Sequence, residues 1–300
     1  MPQTKVICFG EVLWDILPDE ILPGGAPMNV AYHLNRLGKK TKLISKIGND
    51  ENGRKLLEFM TRNEIPTSFV QQDHTNPTGT VIATEGDNHE MRYEIVKPAA
   101  YDFIGHTNET EEQVSNSEYF VFGSLAARHE HSRKSLLNYI EAANTNVLDI
   151  NIRMPHLDRG VAEMLLNKAG ILKLNENELD IVNEWYADLS LFEDKVRTVS
   201  DRYAIPQIII TKGADGAAYF NGEKFFYHPG YEVEVADTIG SGDSFLAGFL
   251  SQLMENEPPE KCLEFACRLG SFIASQRGGC PNYKVEGGEV KAVYDDRMVQ

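Results

Sequence analysis

The sequence predicts an α/β fold: a mainly parallel central sheet flanked by helices on both faces, with a small β-sheet lid. Three observations predict it. Short, near-continuous apolar runs alternate with helix-like stretches along the chain, as strands covered on both faces require. Several of these runs end in Gly or Asn, at the strand ends where open α/β sheets bind ligands. One segment, 80–96, breaks the alternation and reads as a hairpin. With 300 residues, 42% of them hydrophobic and 25% charged, the chain can bury one large core without disulfides. It reads as a single domain, 1–300, with the lid drawn from segments 11–23 and 79–104.

The elements follow in order. KVICFG (5–10), rich in β-branched and aromatic residues, is a strand. Glu11–Pro23 has no helical period and can add strands to the lid. Gly24 and Gly25 then open a helix over 27–37, with Pro27 in its first turn and Val30, Leu34 and Leu37 as its buried stripe. A strand at 41–48 and a helix at 51–63 come next. In the hairpin, Val81 and Ala83 alternate on one arm and Met91, Tyr93 and Ile95 on the other, with Gly86-Asp87-Asn88 as the turn. Arg92 and Glu94 face the opposite side. Strands at 118–123, 146–151, 171–175 and 205–213 alternate with helices at 131–144, 158–168, 176–184 and 192–203. IIITKGADGAAYF (208–220) reads as strand, tight turn and returning strand. A Gly-rich loop then enters a helix carrying Phe245, Leu246, Phe249, Leu250 and Leu253 at helical spacing. Pro258-Pro259 marks a turn between two helices.

A net charge of −16 repels phosphate backbones and anionic head groups, which argues against a nucleic acid or a membrane as partner. It leaves room for a local basic pocket. Cys8, Cys262, Cys267 and Cys280 show no CxxC spacing and read as free thiols. The first residues do not resemble a signal peptide, and no stretch approaches the roughly 18 apolar residues of a membrane helix. A soluble cytoplasmic protein is expected.

Four constellations can carry chemistry. In DTIGSGDSFLAGFL (237–250), Gly240, Ser241 and Gly242 lead into a helix start and Asp243 follows at once. Unpaired first-turn N–H groups and the helix dipole make an anion hole, and a carboxylate beside it suits phosphoryl transfer. Asp243 can also simply cap the helix. In LPGGAPMNVA (22–31), Gly24 and Gly25 allow close approach of a ligand, and Asn29 offers a donor and an acceptor to hydroxyls. In LKLNENE (172–178), Asn175 and Glu178 can serve Mg²⁺ directly or through water, or form a capping box. Lys212-Gly213, at a strand end, can meet a nucleotide or only turn the chain. No GxxxxGK[ST] loop or GxSxG elbow occurs, and His129-Glu130-His131 lacks the spacing of a helical zinc pair.

Together, in order and spacing, these stretches resemble the ribokinase-like, or PfkB, family of carbohydrate kinases. GGAPMNVAYHLNRLG (24–38) is similar to its N-terminal signature and DTIGSGDSFLAGFL to its C-terminal one; Asn175 and Glu178 match its N-x-x-E motif. Ser241 stands where the family usually has Ala. The resemblance implies ATP-dependent phosphorylation of a sugar hydroxyl, with Asp243 as catalytic base and Gly240, Ser241 and Gly242 as anion hole. It places Asn175 and Glu178 on Mg²⁺ and phosphate, and Thr211, Lys212 and Gly213 along the nucleotide. Asp237 would help hold a monovalent cation, K⁺.

Finer details are similar to bacterial fructokinases. GEVLWDILP (10–18) brings Asp15, which would grip sugar hydroxyls, and YEIVKPAAYDFI (93–104) brings Tyr93 on the lid. DINIRMP (149–155) makes Arg153 a candidate phosphate or substrate contact. The implied reaction is fructose to fructose 6-phosphate, with 2-keto-3-deoxygluconate kinase and ribokinase as alternatives. An acidic sugar would need a pocket cation, for which Arg92, Lys97 and Arg153 are candidates. A catalytically silent sugar-binding relative is the non-enzyme alternative. A homodimer joined through the lid fits the same resemblance.

Overall fold

Alternate residues of the apolar runs point to opposite sides of one sheet, so each run feeds two cores. Strand β1 (Val6–Phe9) sends Ile7 and Phe9 into one and Val6 and Cys8 into the other. This is why the runs are continuously apolar rather than alternating. The computed structural model describes residues 4–85, 91–186 and 189–293.

After β1 the chain forms β2 (Leu13–Ile16), β3 (Ile21–Gly24), α1 (Ala26–Arg36), β4 (Thr41–Gly48), α2 (Glu51–Arg62), β5 (Val70–Asp73), β6 (Gly79–Glu85) and β7 (Met91–Ile95). It continues through α3 (Asn108–Ser115), β8 (Tyr119–Gly123), α4 (Glu130–Ala142), β9 (Asn146–Asp149), α5 (Arg159–Leu166), β10 (Ile171–Asn175), α6 (Glu176–Glu184) and α7 (Phe192–Tyr203). It ends with β11 (Gln207–Thr211), β12 (Ala217–Phe220), β13 (Phe225–His228), α8 (Ser241–Leu253), α9 (Pro259–Ala274) and the hairpin of β14 (Tyr283–Glu286) and β15 (Glu289–Ala292).

Nine strands build the main sheet in the order β13-β12-β11-β10-β9-β8-β1-β4-β5. Neighbours from β11 to β5 are parallel, and β12 runs antiparallel to both of its neighbours. One core packs the sheet against α3–α7, through Val114, Leu136, Leu165, Val182 and Val199. The other packs it against α1, α2, α8 and α9, through Leu34, Leu56, Phe249 and Leu269. The predicted α/β architecture is thus the observed one. Among the described residues, no helix is long and apolar enough to cross a membrane.

The second sheet has four strands in the order β3-β2-β6-β7. The predicted hairpin is β6 and β7, paired Val81 with Ile95 and Ala83 with Tyr93. Its turn at Gly86-Asp87-Asn88 lies outside the described residues, as does the Arg92 side chain. Glu11–Pro23 supplies β2 and β3. Segment 97–104 adds no strand, since Ala100–Phe103 forms a 3-10 turn.

Sequence reading passes over β5, α3, β13 and the β14–β15 hairpin. In α3, the eight residues NETEEQVS bury only Thr110 and Val114, too few to show a helical period. β5 and β13 are edge strands with half-buried patterns.

Helix α7 ends on Ala204, held in the left-handed region at φ 52° and exposed. A Cβ is unfavourable there and glycine is the usual solution. Ala204→Gly should raise the unfolding free energy by about 0.5–1 kcal/mol, after allowing for the looser unfolded chain. Urea unfolding with an unchanged m-value checks this; a loss of stability would contradict it.

Candidate active site

The parallel strands end together, and their ends collect polar groups at one edge of the sheet. Glu11 follows β1, Asn151 and Arg153 follow β9, and Asn175 and Thr211 close β10 and β11. All line a single cavity of ≈ 590 Å³. From the other side Gly25, Ala26 and Asn29 of the α1 start and Gly240–Asp243 of the α8 start line it too.

The starts of α1 and α8, which face the cavity, lack side-chain caps. Asp50, Thr107, Asp158 and Asn175 cap α2, α3, α5 and α6. The N-caps of α1 and α8 are Gly25 and Gly240, with no side chain to bond the first N–H groups. Ala26 N–H bonds the Glu11 carboxylate and Ser241 N–H the Thr238 carbonyl at 3.3 Å; the remaining first-turn donors and the helix dipole are left for an anion. Gly240 has φ 74°, and a Cβ there would run into the Gly279 backbone. Asp243 therefore does not cap α8; the capping alternative is not realised.

Asp243 is held by the Asn29 amide, whose Nδ2 donates to Oδ2 at 2.8 Å. Its carboxyl is pushed up to about 6 by burial and then by Asp149, with Lys173, the Asn29 hydrogen bond and Arg153 opposing. A loop from the far end of the chain fixes Asn29, with Cys280 Sγ donating to its Oδ1 at 3.2 Å. Burial keeps that thiol protonated, well above the usual range. One turn further along α1, buried His33 bonds the Gly279 carbonyl at 2.8 Å and the Tyr283 hydroxyl at 3.0 Å. Burial pushes His33 down to about 3, so it is neutral. Nε2–H must donate to the carbonyl, and Nδ1 accepts from Tyr283.

Sequence reading misses Lys173, a buried cation that lines the cavity. Lys173 and Asp149 are register partners on β10 and β9, bonded at 2.8 and 3.0 Å and both buried. Burial alone would lower the ammonium, but Asp149, Glu178 and Asp243 together raise it above the usual lysine range. A Cβ on Gly242 would lie 3.0 Å from Lys173 Nζ, so the ammonium sits directly against the α8 start. The available signal was a lone charge inside an apolar strand, ILKLN.

One part of the lining carries Glu11, Asp15, Tyr93 and Arg153. Burial pushes Glu11 up to about 7 and Asp15 up to about 6. Arg153 opposes the rise in both, as it does in Asp243. Another part is made of Thr211, Gly213, Gly216 and Gly230, together with Cys267, Gly270 and Ser271 of α9.

Four predicted residues stand back from the lining. Gly24 packs against the Asp15 carboxylate. Lys212 turns away to pair with Glu176 at 3.2 Å and to cover the Phe192 ring at 4.0 Å. Asp237 accepts from the Ile239 and Gly278 amides at 3.0 and 3.1 Å. Glu178 forms the capping box with Asn175, and its other oxygen accepts from Ile152 N–H at 2.8 Å. Each Glu178 oxygen keeps a lone pair, so this oxygen set still fits a hard, partly hydrated cation. Among the other candidate cations, Lys97 does not line the cavity.

A sequence model described as pfkB family carbohydrate kinase matches residues 5–285. The chain is 29% identical to a fructokinase from Salmonella typhimurium, covering 92% of this chain and 95% of that one. It is 27% identical to fructokinase-1 of Oryza sativa, covering 94% and 95%. Its structure is similar to that of a fructokinase from Xylella fastidiosa with bound ATP, with a TM-score of 0.82, 20% identity, and 93% and 94% covered. A double-mutant fructokinase from Vibrio cholerae O395, in a form with fructose, ADP and potassium ion, is similar at TM-score 0.80 and 22% identity, covering 93% and 94%.

The burial that raises Asp243 also destabilises the fold. An unfolded aspartate loses its proton near 3.8, the folded one at about 6. The penalty is absent below the first value, grows between them and is complete above the second. Asp243→Asn should therefore stabilise the protein by up to about 3 kcal/mol at about pH 7.5, with the gain vanishing by about pH 4. Thermal unfolding against pH checks the sign; a gain independent of pH would contradict it.

Proposed function

This chain belongs to the pfkB family of carbohydrate kinases, and we propose that it transfers the γ-phosphoryl group of ATP to fructose, giving fructose 6-phosphate. One observation carries the reading. A half-buried carboxylate, a buried ammonium and an uncapped helix start meet in a single cavity of ≈ 590 Å³. Similarity to proteins named fructokinase supports fructose as the sugar.

Asp15, Gly25, Asn29, Tyr93 and Arg153 would hold the sugar. Asn29 occupies Oδ2 of Asp243, which leaves Oδ1 to take the proton from the sugar hydroxyl. As that O–H breaks, the hydroxyl oxygen bonds to the γ-phosphorus, the bond from phosphorus to the β-phosphate oxygen breaks, and ADP leaves. The amides around Gly240, Ser241 and Gly242 and the Lys173 ammonium meet the charge on the transferred group, where fixed donors are most effective. Mg²⁺, held through Asn175 and Glu178 directly or by water, would neutralise phosphate charge. Thr211 and Gly213 would line the nucleotide, with Lys212 contributing its backbone. Asp237, braced between two loops, would help place a monovalent cation, which the potassium-bound relative supports.

The four-stranded sheet would act as a lid over the sugar, excluding water that would otherwise accept the phosphoryl group. Ile21, 60% exposed on the lid's edge strand, favours a second copy packing lid to lid. A cytoplasmic place fits its four free thiols.

ADP release with Mg·ATP should be measured against fructose, ribose, glucose, 2-keto-3-deoxygluconate and adenosine. Turnover on fructose alone is expected. Preference for the keto-acid would assign Arg153 to its carboxylate and overturn fructose; no turnover would favour a silent relative. Asp243→Asn should lower kcat by about 10³-fold with little change in ATP affinity. The wild-type kcat/KM should rise with pH through about 6 to 7 as the Glu11, Asp15 and Asp243 cluster deprotonates. A flat profile would contradict the base assignment.

A further inference from the structure

Where the four-stranded sheet joins the body, its strand roots converge on one buried ion pair. Arg128 follows the Leu125–Ala127 turn after β8. It grips Asp102 with two bonds, Nε to Oδ1 at 2.7 Å and Nη2 to Oδ2 at 2.8 Å. The two side chains are 6% and 2% exposed. Nη2 also donates to the Val96 carbonyl at 2.9 Å, one residue past β7. Asp102 Oδ2 accepts the Ala99 N–H at 2.9 Å and so closes the turn that follows.

The same guanidinium lies over the Tyr101 ring, 4.9 Å from its centre. That ring packs on Gly79, the first residue of β6, where a Cβ would stand 2.5 Å from Cε1. Gly79 is in turn the register partner of Leu13, the first residue of β2. One cation thus ties the end of β7 through Val96 and the starts of β6 and β2 through Tyr101. Both Arg128 and Tyr101 also feel the charge of Glu11, which lines the cavity.

Stability alone does not explain this pair. Apolar residues of similar volume usually serve a core as well or better than a buried ion pair, whose value lies in fixing geometry. We propose that Arg128, through Asp102 and Tyr101, is a positioning residue that sets the lid over the cavity and thereby sugar affinity, touching neither substrate. The proposal rests on the sugar-kinase reading and on the four-stranded sheet acting as its lid.

The test compares Arg128→Lys, which keeps the charge but loses the two-pronged fork, with Asp102→Asn. Steady-state kinetics and amide hydrogen exchange are measured on the full chain, with the sugar that the wild type turns over. Both variants should raise the sugar KM about tenfold and leave the ATP KM within about twofold. Exchange should quicken in 79–85 and 91–95 while β8–β10 stay protected. If the charge variants fail to fold, Tyr101→Leu decides, because it keeps the ion pair and removes only the ring that reaches β6. The same split is expected of it. An unchanged sugar KM in a folded variant overturns the proposal, as do sugar and ATP KM values that rise together. A wild type without turnover on any sugar would sink the kinase reading instead. Exchange confined to the lid would then still support the anchor, and exchange spread through β8–β10 would overturn it.

Discussion

The pairing of Lys173 with Asp149 is the interaction around which the rest of the site is arranged. The two are neighbours across parallel strands at the edge where the cavity opens. Neither could be buried alone, since removing one partner of such a pair typically costs about 3–5 kcal/mol. Once paired, they place a positive charge beneath the start of α8. That charge opposes the burial that drives Asp243 up, while its partner Asp149 adds to the rise. It also explains how a site with Glu11, Asp15, Asp149, Glu178 and Asp243 in a small volume remains able to take phosphate. The chain carries a net −16 overall, yet at this one edge Lys173, Arg153 and two helix starts gather.

Parallel topology determines where those groups meet, and long chain separation determines how. Asn29 reaches Asp243 across 214 positions, and Cys280 reaches Asn29 across 251. His33 holds the Gly279 carbonyl across 246. Two helix starts and a C-terminal loop are thereby locked face to face. A neutral His33 suits this work, because its two nitrogens can donate to one group and accept from another without adding charge. The carboxyl at the centre is then presented with one oxygen occupied and the other open.

Much of the architecture is legible in sequence because burial on both faces leaves long apolar runs. α6 and α7 lie where the helical pattern places them, and β4 spans the predicted 41–48. Elements that bury little leave little signal: α3 rests on Thr110 and Val114, and β5 reads VQQD. The Gly-rich starts of α1 and α8 are likewise legible, since glycines ahead of an apolar helical repeat are local features. Asn29 and Asp243 were readable from such stretches, Asp15 and Arg153 from the resemblance to fructokinases, and all four line the cavity.

The sequence by itself determined most strands of the central sheet, the helix starts and the order of the motifs, because each depends on neighbours within a few positions. Tertiary structure alone decided which charges face each other. Lys173 looks like a stray lysine until β9 brings Asp149 beside it. Lys212 looks like a ligand for a nucleotide until Glu176 and Phe192 claim its side chain. Glu178 reads as cap or metal partner, and only the fold shows that it closes the cap, accepts a second amide from beyond β9 and still keeps a lone pair on each oxygen. Burial and through-space pairing set the protonation of Glu11, Asp15 and Asp243, and both arise from residues far away in the chain. Local pattern specifies backbone; the dielectric and the partners around a charge exist only once the chain has folded.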